Sequence, residues 1–163
     1  MQMRAAVLYE ANTLLQVEEV TLDDPKDQEI LVKMVATGVC HSNLGIIKGE
    51  NPSPLPIVLG HEGRWDCGEG RPRRDSGPAR RPCGASSDLY VREMPTLCSE
   101  VMPAQLMGKL PGGRKPLHKG DQELNIFYVS AFAEYVVVPE RMAVKVRDEI
   151  PLVLSCINQR NDV

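Results

Sequence analysis

Residues 29–63 read EILVKMVATGVCHSNLGIIKGENPSPLPIVLGHEG, and they hold both a strand pattern and the reactive side chains of this chain. The apolar run at 29–36 predicts a strand, and PIVL at 56–59 predicts a second, brief one. Residues 41–48 predict a short helix between them. Prolines fix φ and remove backbone donors, so NPSP at 51–54 predicts a turn. Two apolar runs therefore end at the polar segments GVCHS and GHEG.

The segments on either side of this stretch repeat the strand pattern. Residues 3–8 (MRAAVL) and 15–20 (LQVEEV) are short and β-compatible. The run NIFYVSAFAEYVVV at 125–138 is rich in β-branched and aromatic residues, and RMAVKV at 141–146 makes another candidate strand. With one short helix among these strands, the sequence predicts a mainly β fold with minor α.

Length and charge exclude several classes of protein. A chain of 163 residues suffices for one domain with a core and leaves no room for a second large domain. The net charge of −3 predicts that neither nucleic acid nor an anionic membrane is a partner. No apolar run of about 18 residues and no signal-peptide core are present, so we expect a cytoplasmic protein.

Residues 64–116 differ in character from the rest of the chain. The segment at 64–82, RWDCGEGRPRRDSGPARRP, holds six arginines and almost no aliphatic side chains. Such a composition buries too little apolar surface to offset the entropy lost on ordering, so we predict disorder across 64–116. Nucleic-acid contact is the weaker alternative, because no aromatic stacking platform accompanies the arginines.

Cys40, His61 and Glu62 offer a thiol, an imidazole and a carboxylate at the ends of the two apolar runs. Donors of this kind bind zinc, and a catalytic zinc uses about three protein ligands with one open position. Ser42 lies two residues from the sulfur, where its hydroxyl would meet a bound alcohol and pass a proton outward. The sequence therefore offers a candidate catalytic zinc site.

A second interpretation is that these residues are incidental. A Cys-His dipeptide frequently has no function, and GHEG alone is a moderate signal. The five cysteines are odd in number and widely spaced, which favours reduced thiols or metal ligands over disulfides. Cys67, Cys83 and Cys98 have spacings that match no compact CxxC-type site. The residue types alone leave both interpretations open.

The order and spacing of the segments resemble the zinc-dependent medium-chain alcohol dehydrogenases. Residues 1–63, with MRAAVLYEANTLLQVEEVTLDDPKDQEILVKMVATGVCHSNL and PSPLPIVLGHEG, are similar to the start of the GroES-like catalytic half of these enzymes. Residues 117–150, with KGDQELNIFYVSAFAEYVVV, are similar to its end. The resemblance implies a GroES-like, partly open β-barrel, an unmatched segment at 64–116 and an unmatched tail at 151–163. It also implies that the Rossmann cofactor domain is absent.

The resemblance also implies a role for each candidate residue. Cys40 and His61 match two ligands of the family's catalytic zinc, and Glu62 matches the acid beside it. Ser42 matches the hydroxyl that touches the substrate oxygen and starts the proton relay. His41 matches a position that contacts the cofactor pyrophosphate. The implied cofactors are zinc and NAD(P).

Several positions depart from the family pattern. Asn43 stands where the family has an aspartate that orients the ligand histidine, which should weaken the metal site. Gly45 stands where many members have the outer histidine of the relay. The third zinc ligand has no counterpart, because Cys156 lies in the unmatched tail. The glycine-rich dinucleotide fingerprint and the four-cysteine structural-zinc lobe are also absent from the sequence as written.

Codon degeneracy suggests an origin for the middle segment. If the bases that encode residue 64 onward are read one base later, the permitted codons include GGIVEKVGPGVTAVRPGD, which resembles what the family has after GHEG. The same shift permits cysteines at the CxxCxxC spacing of the missing zinc lobe. We hypothesise that about 50 residues are frame-shifted, and that the tail is a second shift. The gene's nucleotide sequence tests this, because the idea fails if no single-base shift restores the family pattern.

Two functions follow as expectations. The first is a fragment of a zinc-dependent alcohol dehydrogenase, inactive alone, whose intact relatives oxidise small alcohols to aldehydes or ketones and form oligomers in some cases. The second is a non-enzymatic GroES-like β module that binds a protein partner through exposed apolar surface. The zinc-free quinone-reductase branch is a third possibility, and Cys40 and His61 argue against it.

Overall fold

The structure, a computed structural model, describes residues 1–66, 82–85, 103–140 and 143–145. A helical turn covers 103–106. In chain order the named elements are β1 (Gln2–Leu8), β2 (Gln16–Leu22), β3 (Glu29–Thr37), α1 (His41–Ile47), β4 (Ile57–Val58), β5 (Gly63–Asp66), β6 (Pro82–Ala85), β7 (Leu117–Lys119), β8 (Gln122–Ile126), β9 (Tyr135–Pro139) and β10 (Ala143–Lys145). The prediction of a mainly β fold with minor α is confirmed.

The strands form a barrel and a second sheet. The order β1-β2-β7-β8-β4 closes on itself, and closure gives the barrel strands backbone partners on both sides. Neighbours in the barrel are antiparallel except β4 and β8, which are parallel. The second sheet has the order β10-β6-β5-β3-β9 and is antiparallel at every pairing. The predicted partly open barrel thus takes the form of a closed barrel beside an open sheet.

The barrel core follows from the two-residue period of its strands. In β1, Met3, Ala5 and Val7 are buried while Gln2 and Arg4 are exposed, because successive side chains point to opposite faces. Leucines and valines of the other strands meet these side chains. The buried residues of this cluster are Met3, Ala5, Val7, Val20, Leu22, Val58, Leu110, Leu117, Leu124, Ile126 and Val137.

Part of the segment predicted to be disordered is ordered in the structure. β5, β6 and residues 103–116 all fall within or overlap 64–116. Leu110 is 2% exposed in the barrel core, and Arg114 forms ion pairs with Asp23 and Glu29. Local composition gave no sign of these partners, which come from the first 30 residues of the chain.

The remaining expectations for the middle and the tail lie outside the described residues. This applies to residues 67–81, 86–102 and 151–163, and therefore to most of the frame-shift hypothesis and to Cys67, Cys98 and Cys156. Within the part of the chain that the structure describes, no helix combines the length and the apolar character needed to cross a membrane.

The predicted strand at 125–138 is interrupted. β8 ends at Ile126 and β9 begins at Tyr135, with a turn between them. Tyr128 and Ser130 have φ values of 56° and 59°, which is left-handed backbone that a strand does not contain. Aromatic and β-branched content predicts strand propensity at these positions, and the backbone conformation overrides it.

Candidate metal centre

Cys40 is held at the beginning of α1. It is the residue that caps the helix, with φ −91° and ψ 170°, and the Asn43 backbone N–H donates to its sulfur at 3.4 Å. A capping side chain accepts a hydrogen bond from one of the first helical N–H groups, which otherwise have no partner. The cap therefore fixes the position of the Cys40 Sγ atom.

Gly60 helps to position His61. Gly60 has φ 103°, and a Cβ atom there would lie 2.8 Å from the backbone nitrogens of both Ala131 and Phe132. Those nitrogens donate to the carbonyl oxygens of Gly60 and Leu59, at 2.9 and 3.0 Å. The close approach of the two backbones needs a residue without a side chain, and the segment after β4 consequently places His61 beside Cys40.

The structure brings Cys40, His61 and Glu62 together. The distance from Cys40 Sγ to His61 Nδ1 is 3.4 Å, and the ligand atoms of the three residues all lie within 4.8 Å of one another. All three side chains are half-buried. The Gly38 N–H donates to the Glu62 carbonyl at 3.0 Å, so the end of β3 supports this segment. One thiol, one imidazole and one carboxylate at this separation fit a zinc ion that keeps an open position.

Burial favours the form of His61 that binds metals. Desolvation lowers the pKa of His61 below its ordinary value, and the negative charge of Glu62 opposes this effect. A neutral imidazole has a free nitrogen lone pair, whereas an imidazolium does not. His61 is therefore disposed to act as a ligand at neutral pH.

Two aromatic rings next to the cluster were not predicted from the sequence. The His61 ring lies 5.6 Å from the Phe127 ring at an interplanar angle of 89°, and 5.6 Å from the Tyr128 ring at 42°. Phe127 and Tyr128 are 4.9 Å apart at 78°. The adjacent aromatic residues Phe127 and Tyr128 are the one sequence feature that could have indicated this contact. They were predicted to lie in a continuous strand, whereas they lie between β8 and β9.

The other candidates lie in α1. His41 and Ser42 are exposed in its first turn. Asn43 is fully buried, and among the described residues neither polar atom of its side chain has a hydrogen-bond partner. Gly45 is buried, with Asn51 packed so closely that a Cβ atom would lie 2.3 Å from its Nδ2.

A comparison with known families fits this geometry. Residues 26–64 match the alcohol dehydrogenase GroES-like domain, and the matched stretch includes the whole Cys40, His61 and Glu62 cluster. Residues 26–64 therefore belong to the alcohol dehydrogenase GroES-like family. The resemblance found in the sequence and the expected GroES-like fold are thereby confirmed.

The similarity to known proteins extends over most of this chain. It is 32% identical to the alcohol dehydrogenase class-3 of Drosophila melanogaster, over 94% of this chain and 43% of that protein. It is 33% identical to the S-(hydroxymethyl)glutathione dehydrogenase of Saccharomyces cerevisiae, over 94% of this chain and 42% of that protein. The crystal structure of an alcohol dehydrogenase zinc-binding domain protein from Burkholderia ambifaria has a TM-score of 0.74 at 28% identity, over 93% of this chain and 44% of that chain.

The extent of these alignments is informative in two ways. The chain spans less than half the length of the relatives it matches. An alignment that covers 94% of the chain also runs across much of 64–116, so the match is wider than the two spans, 1–63 and 117–150, that carried the resemblance in the sequence.

Proposed function

We propose that this chain is part of a zinc-dependent alcohol dehydrogenase and that Cys40 and His61 bind the catalytic zinc. The observation that carries the proposal is the convergence of Cys40, His61 and Glu62 to within 4.8 Å inside the stretch that matches the family. When bound, zinc supplies Lewis-acid polarisation of the substrate oxygen. Glu62 stands beside the metal as a carboxylate neighbour or an exchanging ligand.

The exposed first turn of α1 supplies the polar groups around the substrate. Ser42 would contact the alcohol hydroxyl, accept its proton and pass its own hydroxyl proton toward solvent. His41 would contact the pyrophosphate of the nicotinamide cofactor, for which its exposed position is suitable. Because Gly45 stands where many members have the outer relay histidine, the proton would pass from Ser42 directly to water. The substrate class is a small alcohol or the corresponding aldehyde or ketone.

The 163-residue chain alone has little or no dehydrogenase activity in this proposal. The nicotinamide carries the hydride chemistry, and the sequence contains no glycine-rich fingerprint that would bind it. Zinc content and alcohol-dependent nicotinamide reduction test the proposal together. We expect stoichiometric zinc in the purified chain without turnover. A chain that folds and takes up no zinc contradicts the assignment, and turnover contradicts the inactivity.

The second candidate function is a non-enzymatic GroES-like module that binds a protein partner. The observation that favours it is a set of exposed apolar side chains, including Leu14 at 88%, Val39 at 73% and Leu106 at 73%. Val39 lies next to Cys40, so the exposed apolar surface of the second function adjoins the metal cluster of the first. Zinc that is bound in stoichiometric amount through Cys40 supports the enzyme lineage, and its absence favours the module. The cytoplasmic location stays a prediction.

A further inference from the structure

Two aromatic rings contact the imidazole of one proposed zinc ligand. Phe127 meets the His61 ring edge-on at 5.6 Å, and Tyr128 meets it at 5.6 Å with the planes tilted by 42°. Tilted and edge-to-face rings at this separation attract one another through complementary charge distributions of face and edge. The two rings therefore restrict the orientation of the His61 side chain.

The backbone beneath Tyr128 is strained and firmly held. Its φ of 56° lies in the left-handed region, which a bulky side chain adopts only when the surroundings enforce it. The Ser130 N–H donates to the Phe127 carbonyl at 2.9 Å, and the Phe127 N–H donates to Ser130 Oγ at 3.0 Å. Ser130 Oγ in turn donates to the Val58 carbonyl at 2.9 Å. The turn that presents Tyr128 is thus tied to β4, the strand that leads to His61.

A metal-binding histidine ordinarily donates its second ring nitrogen to a carboxylate, a carbonyl or a water, and this fixes the ring. Among the described residues, the His61 ring has one contact within hydrogen-bonding range, from Nδ1 to Cys40 Sγ. Asn43 makes no side-chain hydrogen bond there. Within the part of the chain that the structure describes, the contacts with Phe127 and Tyr128 are therefore the interactions that add to the Cys40 contact in orienting the imidazole.

We propose that Tyr128 is a positioning residue that holds the His61 imidazole in the orientation needed for metal binding. The inference rests on the proposed zinc site. In this proposal the role belongs to the aromatic ring of Tyr128, which contacts the His61 ring, so phenylalanine should keep the role and an aliphatic side chain should lose it. Phe127 and Tyr128 each pack against a core cluster, so a control for the loss of core packing is needed.

Metal titration of the full 163-residue chain tests this role. Co²⁺ is the probe, because its visible absorption reports coordination geometry as well as occupancy. We compare the original chain with Tyr128→Phe and Tyr128→Leu. The control is Tyr135→Leu, which removes another half-buried tyrosine that packs against a core cluster and, among the described residues, makes no ring contact with His61. The far-ultraviolet circular dichroism of each metal-free chain verifies that the chain is folded before Co²⁺ is added.

We expect Tyr128→Phe and Tyr135→Leu to bind Co²⁺ within about twofold of the original chain and with the same spectrum. Loss of a favourable ring contact should weaken Co²⁺ binding by Tyr128→Leu by about threefold to tenfold and shift its bands. Equal affinity and an unchanged spectrum for Tyr128→Leu would overturn the inference. So would a loss in Tyr128→Phe as large as that in Tyr128→Leu. If the original chain binds no Co²⁺ or Zn²⁺, the proposed function itself fails.

Discussion

Asn43 is a buried amide beside the proposed metal ligand Cys40. Its backbone N–H donates to the Cys40 sulfur, while its side-chain Oδ1 and Nδ2 have no partner among the described residues. An unpaired buried amide costs about 1 to 3 kcal/mol, because it has lost water without gaining a protein hydrogen bond. The residue type that departs from the family pattern is thus also a local source of instability.

We expect Asn43→Leu to raise the free energy of unfolding of the metal-free chain by about 1 kcal/mol. Leucine has nearly the same shape and removes the unpaired polar atoms. Urea titration followed by circular dichroism measures the change, with Leu44→Asn as the control for an exposed neighbour. A decrease in the unfolding free energy for Asn43→Leu would show that the amide forms hydrogen bonds in solution.

Tyr9 provides a prediction of how stability depends on pH. Its hydroxyl donates to the Glu18 carboxylate, which also pairs with Lys119 at 3.0 Å. Burial, together with the hydrogen bond and charge of Glu18, raises the pKa of Tyr9 to about 12. A raised pKa means that folding favours the protonated phenol. This stabilisation is complete below the unfolded-state pKa of about 10 and is lost as the pH rises toward 12.

Tyr9→Phe should therefore remove part of the decline in stability between pH 10 and 12. Urea unfolding midpoints at pH 9, 10 and 11 measure the slope for the original chain and the variant. Tyr135→Phe is the matched control, because it removes a phenol that has no hydrogen bond to Glu18. An identical slope in the original chain and in Tyr9→Phe would contradict the assignment.

The sequence predicted which side chains form the cluster better than it predicted their surroundings. Cys40, His61 and Glu62 were identified from donor chemistry, and the structure places their ligand atoms together. Phe127 and Tyr128 were missed as neighbours because they reach His61 through a turn with positive φ. Residue type and spacing carry donor chemistry, whereas a tertiary contact at such a turn depends on the assembled barrel.

At the scale of the elements, the segment Leu59–Gly60 depends on a close backbone approach. Gly60 combines φ 103° with backbone nitrogens 2.8 Å from any added Cβ. Gly45, in α1, also has a close contact, but that contact is with the end of the exposed Asn51 side chain, which can move. Substitution of alanine at the two glycines therefore compares a clash with fixed backbone, at Gly60, with a clash against a movable side chain, at Gly45.

We expect Gly60→Ala to lower the free energy of unfolding by at least about 2 kcal/mol, since it adds backbone strain and a steric clash. Gly45→Ala should raise it by up to about 1 kcal/mol, because alanine is the better helix former. Urea unfolding of both variants checks the pair. A loss of less than about 0.5 kcal/mol for Gly60→Ala would contradict the described backbone approach.

The positions of helices and strands were largely predictable where the local pattern of apolar and polar residues determines them. The helix predicted at 41–48 is α1 (His41–Ile47), and the strand predicted at 29–36 is β3 (Glu29–Thr37). The apolar run at 125–138 was assigned to one strand, and it contains the end of β8, a turn and most of β9. Its composition favours strand throughout, so only the hydrogen bonds to β4 reveal the turn.

At the scale of the whole molecule, ion pairs attach residues 103–116 to the start of the chain. Arg114 lies 3.1 Å from Asp23, pairs with Glu29 and donates to the Asp24 carbonyl. Its partners are 85 to 91 residues away in sequence. No local composition reveals contacts at this separation, which explains why disorder was predicted across 64–116.

Arg114→Leu should lower the free energy of unfolding by about 1 to 3 kcal/mol, because it leaves the largely buried Glu29 carboxylate without its partner. Lys115→Met is the control. It removes a 3.6 Å pair with an exposed Glu123, which should change stability by less than about 0.5 kcal/mol. Equal effects of the two substitutions in urea unfolding would contradict the anchoring role of Arg114.

The central claim, that Cys40 and His61 bind zinc, is tested most directly by equilibrium dialysis of the 163-residue chain against Zn²⁺. Metal analysis is then performed on the original chain, Cys40→Ala, His61→Ala and the control Cys156→Ala. We predict one zinc per chain for the original and for Cys156→Ala, with loss of that zinc in the two ligand variants. A folded original chain without zinc, or Cys40→Ala with undiminished zinc, would contradict the claim.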